Sequence, residues 1–427
     1  MTPHAPIGTP SPAEHASAVA DLLAPLVARL AEPVRAEVLT LGDARGRVLS
    51  DDVLSPGAVP PFANSQMDGY AVAAADLAGA SADAPVRLRV GATSAAGDPV
   101  GSHAPGTASP VMTGAPIPRG ADAVVQIEVV DPPHFFELGG DVHDVPGARS
   151  AGFSAAVDPG SFVRPEGADL QPGAVVLRAG TRLGPVQLGS LAAAGIVSVA
   201  VRPVPRVLLV STGHELRRPG ETLGSGQIHD ANTTSLSAAL VEAGATVVTA
   251  FAPDDADALR AAIAAQSECD LVVTTGGVSA GAFEVVRDAL EPEGVSFGSV
   301  AMQPGGPQGL GTIRAGERVI PVLAFPGNPV SALLSFEMFL RPVLRRIAGR
   351  SPHRRAEHAA LAHDITSPAA KHQVRRGTLR PDGTVEVGAP GSHLLHAYAL
   401  ADVLVHVPIG VDALAVGTDV EIWRIDD

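Results

Sequence analysis

The sequence predicts a multidomain protein of α/β plus β class, and three observations lead to this class. The chain has 427 residues, which is more than one ordinary hydrophobic core organises, so about two to four domains are expected. Residues 207–349 alternate short apolar strands with helices, the pattern of a parallel, doubly wound sheet. Residues 53–158 and 351–427 instead contain short alternating strands separated by proline and glycine, as in β-rich domains.

The first part of the chain predicts one helix followed by a β-rich module. Apolar residues recur at helical spacing over Pro12–Leu30 and the pattern stops before Pro33, which indicates an amphipathic helix. A second helical or extended piece is expected at 41–48. Strand-like alternation at 86–94 and 121–130 predicts the β-rich module.

Four strand–helix pairs then predict a doubly wound α/β domain, and short strands follow it. The pairs are expected at 207–211 with 233–243, 246–250 with 254–265, 271–275 with 283–290, and 319–325 with 330–347. After residue 351 the pattern returns to strands, which indicates a small β-barrel or a sandwich.

Three glycine-punctuated turns close strands of the predicted α/β domain, within 205–216, 270–281 and 322–331. Each turn carries hydroxyls or a carboxylate. A glycine-rich turn after a buried parallel strand exposes backbone N–H groups at the carboxyl edge of the sheet, where anionic ligands bind. The three turns therefore predict a single crevice for a phosphorylated or oxyanion-bearing ligand.

Composition and charge exclude several classes of function. The formal net charge is −15 at pH 7, and a duplex-binding protein would need a basic face, so no nucleic-acid partner is expected. No apolar run approaches the roughly 20 residues that span a bilayer, and no secretory signal is visible. We therefore expect no membrane association and a cytoplasmic location. The chain has a single cysteine, Cys269, and its place beside an apolar strand predicts a small core residue and not a nucleophile.

A series of motifs gives the chain a family resemblance from about residue 14 to residue 427. In order they are PPFANSQMDGYAV (60–72), VMTGAPIPRGADAVVQIE (111–128), RPEGADLQPG (164–173), STGHEL (211–216), GQIHDANTTSL (226–236), TTGGVSAGAFE (274–284), PGGP (304–307) and FPGNPVSA (325–332). Taken together they resemble the molybdopterin molybdenumtransferase family, which includes MoeA and the E domain of gephyrin.

The resemblance implies an architecture and an activity. It implies an elongated linker domain in two pieces (14–55 and 160–190), a β-rich domain (56–159), a central α/β molybdopterin-binding domain (191–350) and a C-terminal β-barrel (351–427). It also implies a homodimer in which the β-rich domain of one subunit faces the crevice of the other. The implied reaction inserts molybdate into adenylylated molybdopterin and releases AMP, and a molybdopterin adenylyltransferase is an expected partner.

The same resemblance assigns roles to residues at matching motif positions. The implied catalytic carboxylates are Asp68, Asp169, Glu215, Asp230 and Glu284. Of these, Glu215, Asp230 and Glu284 are expected to organise Mg²⁺, since hard oxygen ligands and substrate phosphate suit that ion. The implied substrate-binding residues are Thr275, Gly276, Gly277, Ser279, Gly281, Pro307, Asn328, Ser331, Arg376 and Ser392, with Arg375 beside Arg376.

Several of these residues have purely structural alternatives. Asp230 precedes a predicted helix and is suited to N-capping, as are Asn328 and Ser331. Glu215 fits a solvated loop carboxylate, and Asp68 lies in an Asp-Gly turn signal. The glycine loop at 276–281 also fits a plain tight turn.

The chain also departs from the family pattern. Gln303 and Gly306 stand where the family carries lysines, and Lys371, the only lysine of the chain, is too remote in sequence to be assumed a substitute. Each lost contact between a cation and an oxyanion would cost about 1.5–3 kcal/mol. Ala63, His214 and Ala282 replace acidic residues. A non-catalytic paralogue that carries the pterin nucleotide is therefore a second hypothesis, and an unrelated α/β enzyme for another nucleotide is a third.

Overall fold

The computed structural model describes residues 9–136, 149–278 and 284–426, and it confirms the multidomain α/β plus β class. Three six-stranded sheets organise these residues, and each belongs to a different part of the chain. Within the described ranges, no helix combines the length and the apolar character needed to cross a membrane.

The predicted N-terminal helix is confirmed at Pro12–Leu30. Ser11 caps it through its side chain, which accepts a hydrogen bond from the amide of Glu14, and Pro12 occupies the first turn, where a missing N–H costs nothing. The apolar stripe of the helix is buried against the α/β core, as the helical spacing requires.

The stretch 41–48 does not form the predicted helical or extended piece. A strand occupies Glu37–Thr40 instead, and turns follow it because Thr40 and Asp43 bond to each other and Gly46 adopts a φ of +79°. The strand pairs antiparallel with Ser198–Val201, so two stretches distant in sequence lie side by side. The predicted domain boundaries remain predictions.

The β-rich region has strands in both stretches where the alternating pattern predicts them, Val86–Val90 within 86–94 and Ala123–Gln126 within 121–130. Its strands are Asn64–Ser65, Gly69–Val72, Val86–Val90, Thr107–Val111, Ala123–Gln126, Val130–Asp131 and Ser150–Phe153. Six of them form one sheet around a core that includes Tyr70 and Phe153, whose rings meet edge to face at 6.2 Å. Short strands also occupy Val53–Leu54, Val163–Arg164 and Val175–Leu177, and a helix occupies Pro185–Ala193.

The central sheet has four parallel strands, as predicted, and two further antiparallel strands. The parallel strands, in spatial order, are Thr246–Ala252, Arg206–Thr212, Leu271–Thr275 and Arg318–Phe325. Pro307–Ala315 and Val295–Ser299 continue the sheet antiparallel, and the sequence pattern did not predict them. The helices that cover the sheet are Ala231–Glu242, Ala256–Ala264, Val285–Leu290 and the helical segment that begins at Pro329.

Helices cover both faces of the central sheet. Along the strand Arg206–Thr212, Val207 and Leu209 enter one core while Leu208 and Val210 enter the other, as the two-residue period of a strand requires. Both faces are therefore buried, which explains why the strand is a continuous apolar run. Cys269 is a free, buried residue of the second core, as predicted.

The last helical segment contains one turn of π-helix. It runs as α-helix over Pro329–Ser335, as π-helix over Phe336–Leu340 and again as α-helix over Arg341–Ile347. The wider turn places Glu337 towards the C-terminal region, with 8% of its surface exposed. Such π-helical turns are frequent where a helix serves a function.

The C-terminal region forms a nearly closed sheet that fits a barrel. Its strands in this region are Ala356–Ala360, His372–Leu379, Val385–Val387, Val403–Val407 and Asp419–Arg424, and Ile365–Thr366 pairs separately with Ala413–Leu414. A short strand from the α/β region, Met302–Gln303, pairs in parallel with the start of His372–Leu379 and so extends this sheet. The pairing ties the C-terminal region to the chain segment that precedes the strand Pro307–Ala315.

A buried ion pair fastens the same two regions. The guanidinium of Arg354 donates from Nη2 to Glu337 Oε1 at 2.8 Å and from Nε to Oε2 at 3.0 Å, a bidentate contact. Its Nη1 donates to the carbonyl of Ile425 at 2.6 Å. Arg341 lies on the other side of Glu337 at 3.5 Å. The carboxylate thus faces two buried guanidinium groups at the domain junction.

We expect the substitution Glu337→Gln to destabilise this junction strongly. Breaking a buried ion pair costs about 3–5 kcal/mol, because the remaining charge stays desolvated without its carboxylate. The measurement is urea unfolding followed by the fluorescence of Trp423, the only tryptophan, which lies in the C-terminal sheet. The matched control is Glu386→Gln, which breaks the exposed pair with Arg380 and should cost less than about 1 kcal/mol. Equal shifts for both variants would contradict a fastening role for Glu337.

Candidate functional site

A cleft of about 1100 Å³ lies at the carboxyl ends of the parallel strands. One wall comes from the turns that follow three of these strands, at Thr212, Thr275 and Phe325. The facing wall comes from the segment around Gln303 and from a C-terminal loop that contains Ser392. The position is the one expected for ligands of open α/β sheets.

Most of the predicted site residues meet in this cleft. Those that line it are Glu215, Asp230, Thr275, Gly276, Gly277, Glu284, Pro307, Asn328, Ser331 and Ser392. Ser279 and Gly281 lie outside the described residues. The three glycine-punctuated turns therefore do converge on a single crevice, although the role of each residue remains a prediction.

Two glycines shape the strand-to-helix turn that follows Leu271–Thr275. Gly276 and Gly277 have φ values of +92° and +59°, in the region that favours glycine. A Cβ on Gly276 would lie 2.9 Å from the backbone oxygen of Thr212. The turn can therefore approach the neighbouring strand only without a side chain, and this approach leaves the floor of the cleft lined by backbone.

A chain of hydroxyls runs beneath the cleft and fixes Asp230. The Oγ1 of Thr233 donates to Asp230 Oδ2 at 2.5 Å and lies 2.7 Å from Ser211 Oγ, which lies 3.2 Å from Thr275 Oγ1. The amide of Thr233 also donates to Asp230 Oδ1 at 3.0 Å, so Asp230 is the N-cap of the helix Ala231–Glu242. Asp230 therefore does cap this helix, and it also lines the cleft.

The turn after the strand Arg318–Phe325 is held against the same helix. The side-chain amide of Asn232 donates to the carbonyl of Gly327 at 2.7 Å, and the amide of Gly276 donates to Phe325 at 3.1 Å. Asn328 occupies the N-cap position of the next helix, but its side chain makes no capping hydrogen bond. Its amide group is therefore available to a ligand in the cleft.

Three predicted site residues among those that the structure describes, Asp68, Asp169 and Arg376, do not line the cleft of their own chain. Asp68 lies in the β-rich region and accepts hydrogen bonds from the amide and the hydroxyl of Thr113, at 2.7 and 2.8 Å. These bonds lower the pKa of Asp68 and keep it ionised. Asp169 is exposed beside a turn whose amides bond to Val59.

Arg376 does not line the cleft, but it contacts the loop that does. It is 2% exposed, and its Nη2 donates to the carbonyls of Ala389 and Gly391 at 2.7 and 2.9 Å. Burial lowers the pKa of this guanidinium, an effect that Tyr398 opposes. Arg375 is similarly engaged with the carbonyl of Gly388. These contacts hold the loop that presents Ser392.

The structure also brings residues to the cleft that sequence reasoning missed. Asn232, Asp254 and the sole lysine, Lys371, all line it. Lys371 is remote in sequence from the expected lysine positions, but the parallel pairing of Met302 with His372 carries it to the cleft wall. Nothing in the local sequence signals a pairing between strands about 70 residues apart. Gln303, one residue further along the same pairing, accepts a hydrogen bond from the side chain of Gln373 at 2.6 Å.

The electrostatics of the cleft are dominated by acids. Four carboxylates line it, from Glu215, Asp230, Asp254 and Glu284. Backbone amides, hydroxyls and side-chain amides supply most of the groups suited to an anion. The arrangement can hold an anionic, phosphate-bearing ligand when a cation offsets the carboxylates.

Family models match most of the chain. The model of the MoeA N-terminal region (domain I and II) matches residues 11–195, and that of a probable molybdopterin binding domain matches 208–346. The model of the MoeA C-terminal region (domain IV) matches 358–425.

Individual relatives and solved structures agree with these models. A molybdopterin molybdenumtransferase 2 of Mycobacterium tuberculosis is 41% identical over 94% of this chain and 98% of its own. A molybdopterin molybdenumtransferase of Haemophilus influenzae is 35% identical over 87% of this chain and 90% of its own. The crystal structure of a molybdopterin biosynthesis MoeA protein of Pyrococcus horikoshii superposes with a TM-score of 0.76 at 32% identity, over 95% and 98% of the two chains.

We expect Gly276→Ala to destabilise the protein by about 2–3 kcal/mol, because a left-handed φ and a contact with the backbone of Thr212 both oppose the new Cβ. The matched control is Gly316→Ala, which has a φ of +62° but nothing within 4 Å, and should cost about 1–2 kcal/mol. Urea unfolding measures both. If the two variants lose the same stability, the close approach at Gly276 does not shape the cleft.

Proposed function

Because the chain belongs to the MoeA family of molybdopterin molybdenumtransferases, we propose that it inserts molybdate into adenylylated molybdopterin and releases AMP. It acts in molybdenum cofactor biosynthesis. The observation that carries the proposal is the convergence of three glycine-punctuated turns on one cleft whose floor is built from backbone and hydroxyls. Such a floor suits an anionic nucleotide.

The turn that follows the strand Leu271–Thr275 holds the phosphates of the pterin nucleotide. The amide of Gly277 provides a donor at the carboxyl edge of the sheet, whereas that of Gly276 is bonded to the carbonyl of Phe325, and Thr275 stands at the end of the hydroxyl chain. Ser279 and Gly281 follow in the same sequence motif, and we assign them to the same phosphate. This arrangement fixes the nucleotide before the reaction.

Molybdate binds beside this turn, where the next strand-to-helix turn meets the C-terminal loop. Asn328, Ser331 and Ser392 supply an amide and two hydroxyls there, and Pro307 borders them. The amide of Val330 donates to the carbonyl of Ser392 at 3.3 Å, so the loop and the helix meet at this point. Arg376 contributes by holding that loop through its carbonyl contacts.

The carboxylates of the cleft suit Mg²⁺. Glu215, Asp230 and Glu284 offer the hard oxygen donors that this ion prefers. Among the described residues, no group of three or more His, Cys, Asp or Glu side chains forms a metal site by itself. This pattern fits Mg²⁺, which binds through one or two carboxylates plus substrate phosphates and waters. When bound, the ion supplies positive charge against the phosphates.

The reaction needs the protein mainly for positioning and charge. The two dithiolene thiols of the pterin bind molybdenum and displace one oxo group as water, and a water molecule cleaves the phosphoanhydride to release AMP, so no side chain has to form a covalent bond. The cleft holds the two anions side by side, so a bimolecular reaction becomes effectively unimolecular. Oriented amides and hydroxyls stabilise the negative charge of the reacting groups without reorganising.

We propose a homodimer as the working form. Asp68 and Asp169 do not line the cleft of their own chain, and a dimer in which the β-rich region faces the partner's cleft would give both carboxylates a place near the substrate. A molybdopterin adenylyltransferase is the proposed supplier of the nucleotide. The cytoplasmic location stays a prediction.

The non-catalytic alternative is not favoured. Gln303 and Gly306 still stand where lysines were expected, but relatives that are 35–41% identical over most of the chain are named as transferases. The third hypothesis, an unrelated α/β enzyme, does not agree with the three family matches.

The deciding experiment is the release of AMP from molybdopterin-AMP when molybdate is added. We expect the purified protein to bind the nucleotide and to release AMP in proportion to molybdate, since both anions fit the cleft. Sulfate serves as the control anion. Tight binding of the nucleotide with no AMP after molybdate addition would support the carrier hypothesis instead.

A second test separates the capping role of Asp230 from a role in the reaction. Asp230→Ala and Asp255→Ala each remove a helix N-cap, so each should lose about 1 kcal/mol in urea unfolding. Only Asp230→Ala should raise the Mg²⁺ concentration needed for AMP release, by about tenfold to a hundredfold. If both variants need the same Mg²⁺ concentration, Asp230 acts only as a cap.

A further inference from the structure

A second cavity, of about 230 Å³, shares no lining residue with the substrate cleft and is lined by arginines. Its charged lining residues are Arg45, Arg47, Arg202 and Arg350, and no carboxylate of the described residues lines it. The chain as a whole has a formal net charge of −15, so a group of guanidiniums without a lining carboxylate runs against its composition. We call this cavity and its four arginines the arginine pocket.

Four separate segments of the chain meet at the arginine pocket. They are the turns at 45–48, the chain that follows the strand Ser198–Val201, the end of the helix Ala231–Glu242 and the end of the helical segment Arg341–Ile347. The amide of Arg202 donates to the carbonyl of Val48 at 2.7 Å, and Nη1 of Arg350 donates to the carbonyl of Glu242 at 2.7 Å. The fold therefore fixes the backbone that carries these guanidiniums.

The positive charge of the arginine pocket is only partly compensated. Arg47 pairs with Glu37 at 2.8 Å, and each of the two helix ends contributes roughly half a negative charge. These groups together offset roughly two of the guanidinium charges, so roughly two positive charges remain. The side chains of Arg45 and Arg202 make no hydrogen bond or ion pair within the part of the chain that the structure describes.

Charged groups just outside the lining increase this excess of positive charge. Burial lowers the pKa of Arg350, and the charges of Arg182 and Arg345 lower it further, whereas Glu242 opposes them. Like charges held this close repel one another. A bound anion would relieve the repulsion.

We propose that the arginine pocket binds a phosphate-type dianion, either inorganic phosphate or the phosphate group of a small phosphomonoester. A guanidinium presents its N–H groups in a planar fork that matches two phosphate oxygens, and several forks around one cavity suit a single dianion. The cavity is smaller than the range of about 300–1000 Å³ that is usual for small-molecule pockets, so its size suits a phosphate with little attached. The proposal is independent of the proposed reaction, because the two sites share no lining residue.

A purely structural role for these arginines predicts a different result. Arg350 already satisfies a carbonyl at a helix end, and arginines that served only this purpose would lower stability when removed, with or without an anion. Arg45 and Arg202 make no such contact within the described residues. Replacing either by glutamine should therefore leave the stability of the phosphate-free protein unchanged or raise it, because one repulsive charge is lost.

The experiment measures anion binding to the full-length protein by isothermal titration calorimetry. Inorganic phosphate and glycerol 3-phosphate are the two probes, and the ionic strength is held constant. Arg45→Gln and Arg202→Gln should each raise the Kd of the bound probe by about tenfold to a hundredfold, because each variant loses a charge-assisted contact. The probe that binds the wild type more tightly shows whether the pocket takes free phosphate or an ester.

The matched control is Arg346→Gln. Arg346 is exposed on the helical segment Arg341–Ile347, does not line the pocket, and its replacement changes the net charge by the same amount. This variant should keep the Kd of the wild type within a few-fold.

Three results would overturn the proposal. The first is a wild type that binds neither probe. The second is a Kd that stays unchanged in both Arg45→Gln and Arg202→Gln, which would place the bound anion elsewhere, for example in the cleft. The third is equal stabilisation against urea by chloride and by phosphate at one ionic strength, which would show that salt merely screens the repulsion between the arginines.

Discussion

The site depends first on the buried ion pair between Glu337 and Arg354. Two desolvated charges are stable at a domain junction only when their hydrogen bonds are well satisfied, and the bidentate contact meets this condition. Because Glu337 lies in the π-helical turn of the helix that starts at the cleft, the pair orients the C-terminal sheet relative to that helix. The loop with Ser392 faces the glycine turns as a result. A cleft with two walls requires this junction.

The second constraint is the balance of charge within the cleft. Acidic side chains outnumber the single lysine, so the protein cannot attract its anionic substrates by a general positive field. In the proposed function, recognition instead uses groups fixed by the fold, which are the amide of Gly277 and the hydroxyl chain below it. Such donors are selective for geometry, and in the proposed function the carboxylates favour anions that arrive with a divalent cation.

The sequence allowed the periodic elements to be predicted, and it failed where contacts between distant segments decide the structure. The helix Pro12–Leu30 and the four parallel strands follow from apolar spacing and turn residues. The antiparallel strand Pro307–Ala315 was missed because Gly309 and Gly311 look like breakers, although a Cβ on Gly309 would lie 2.6 Å from the ring of Phe297. Glycine is required there by packing and not by a turn.

The part of the site that follows the parallel strands was predictable from the same apolar spacing and turn residues. Turns after parallel strands always meet at one sheet edge, so Thr275, Gly276 and Asn328 could be placed together from motifs alone. Lys371 could not, because its position depends on a two-residue strand, Met302–Gln303, that joins the C-terminal sheet. That strand also ties the C-terminal sheet to the chain of the α/β region. Moving the two walls apart would strain or break this strand pairing. The cleft therefore keeps its width when a large nucleotide enters.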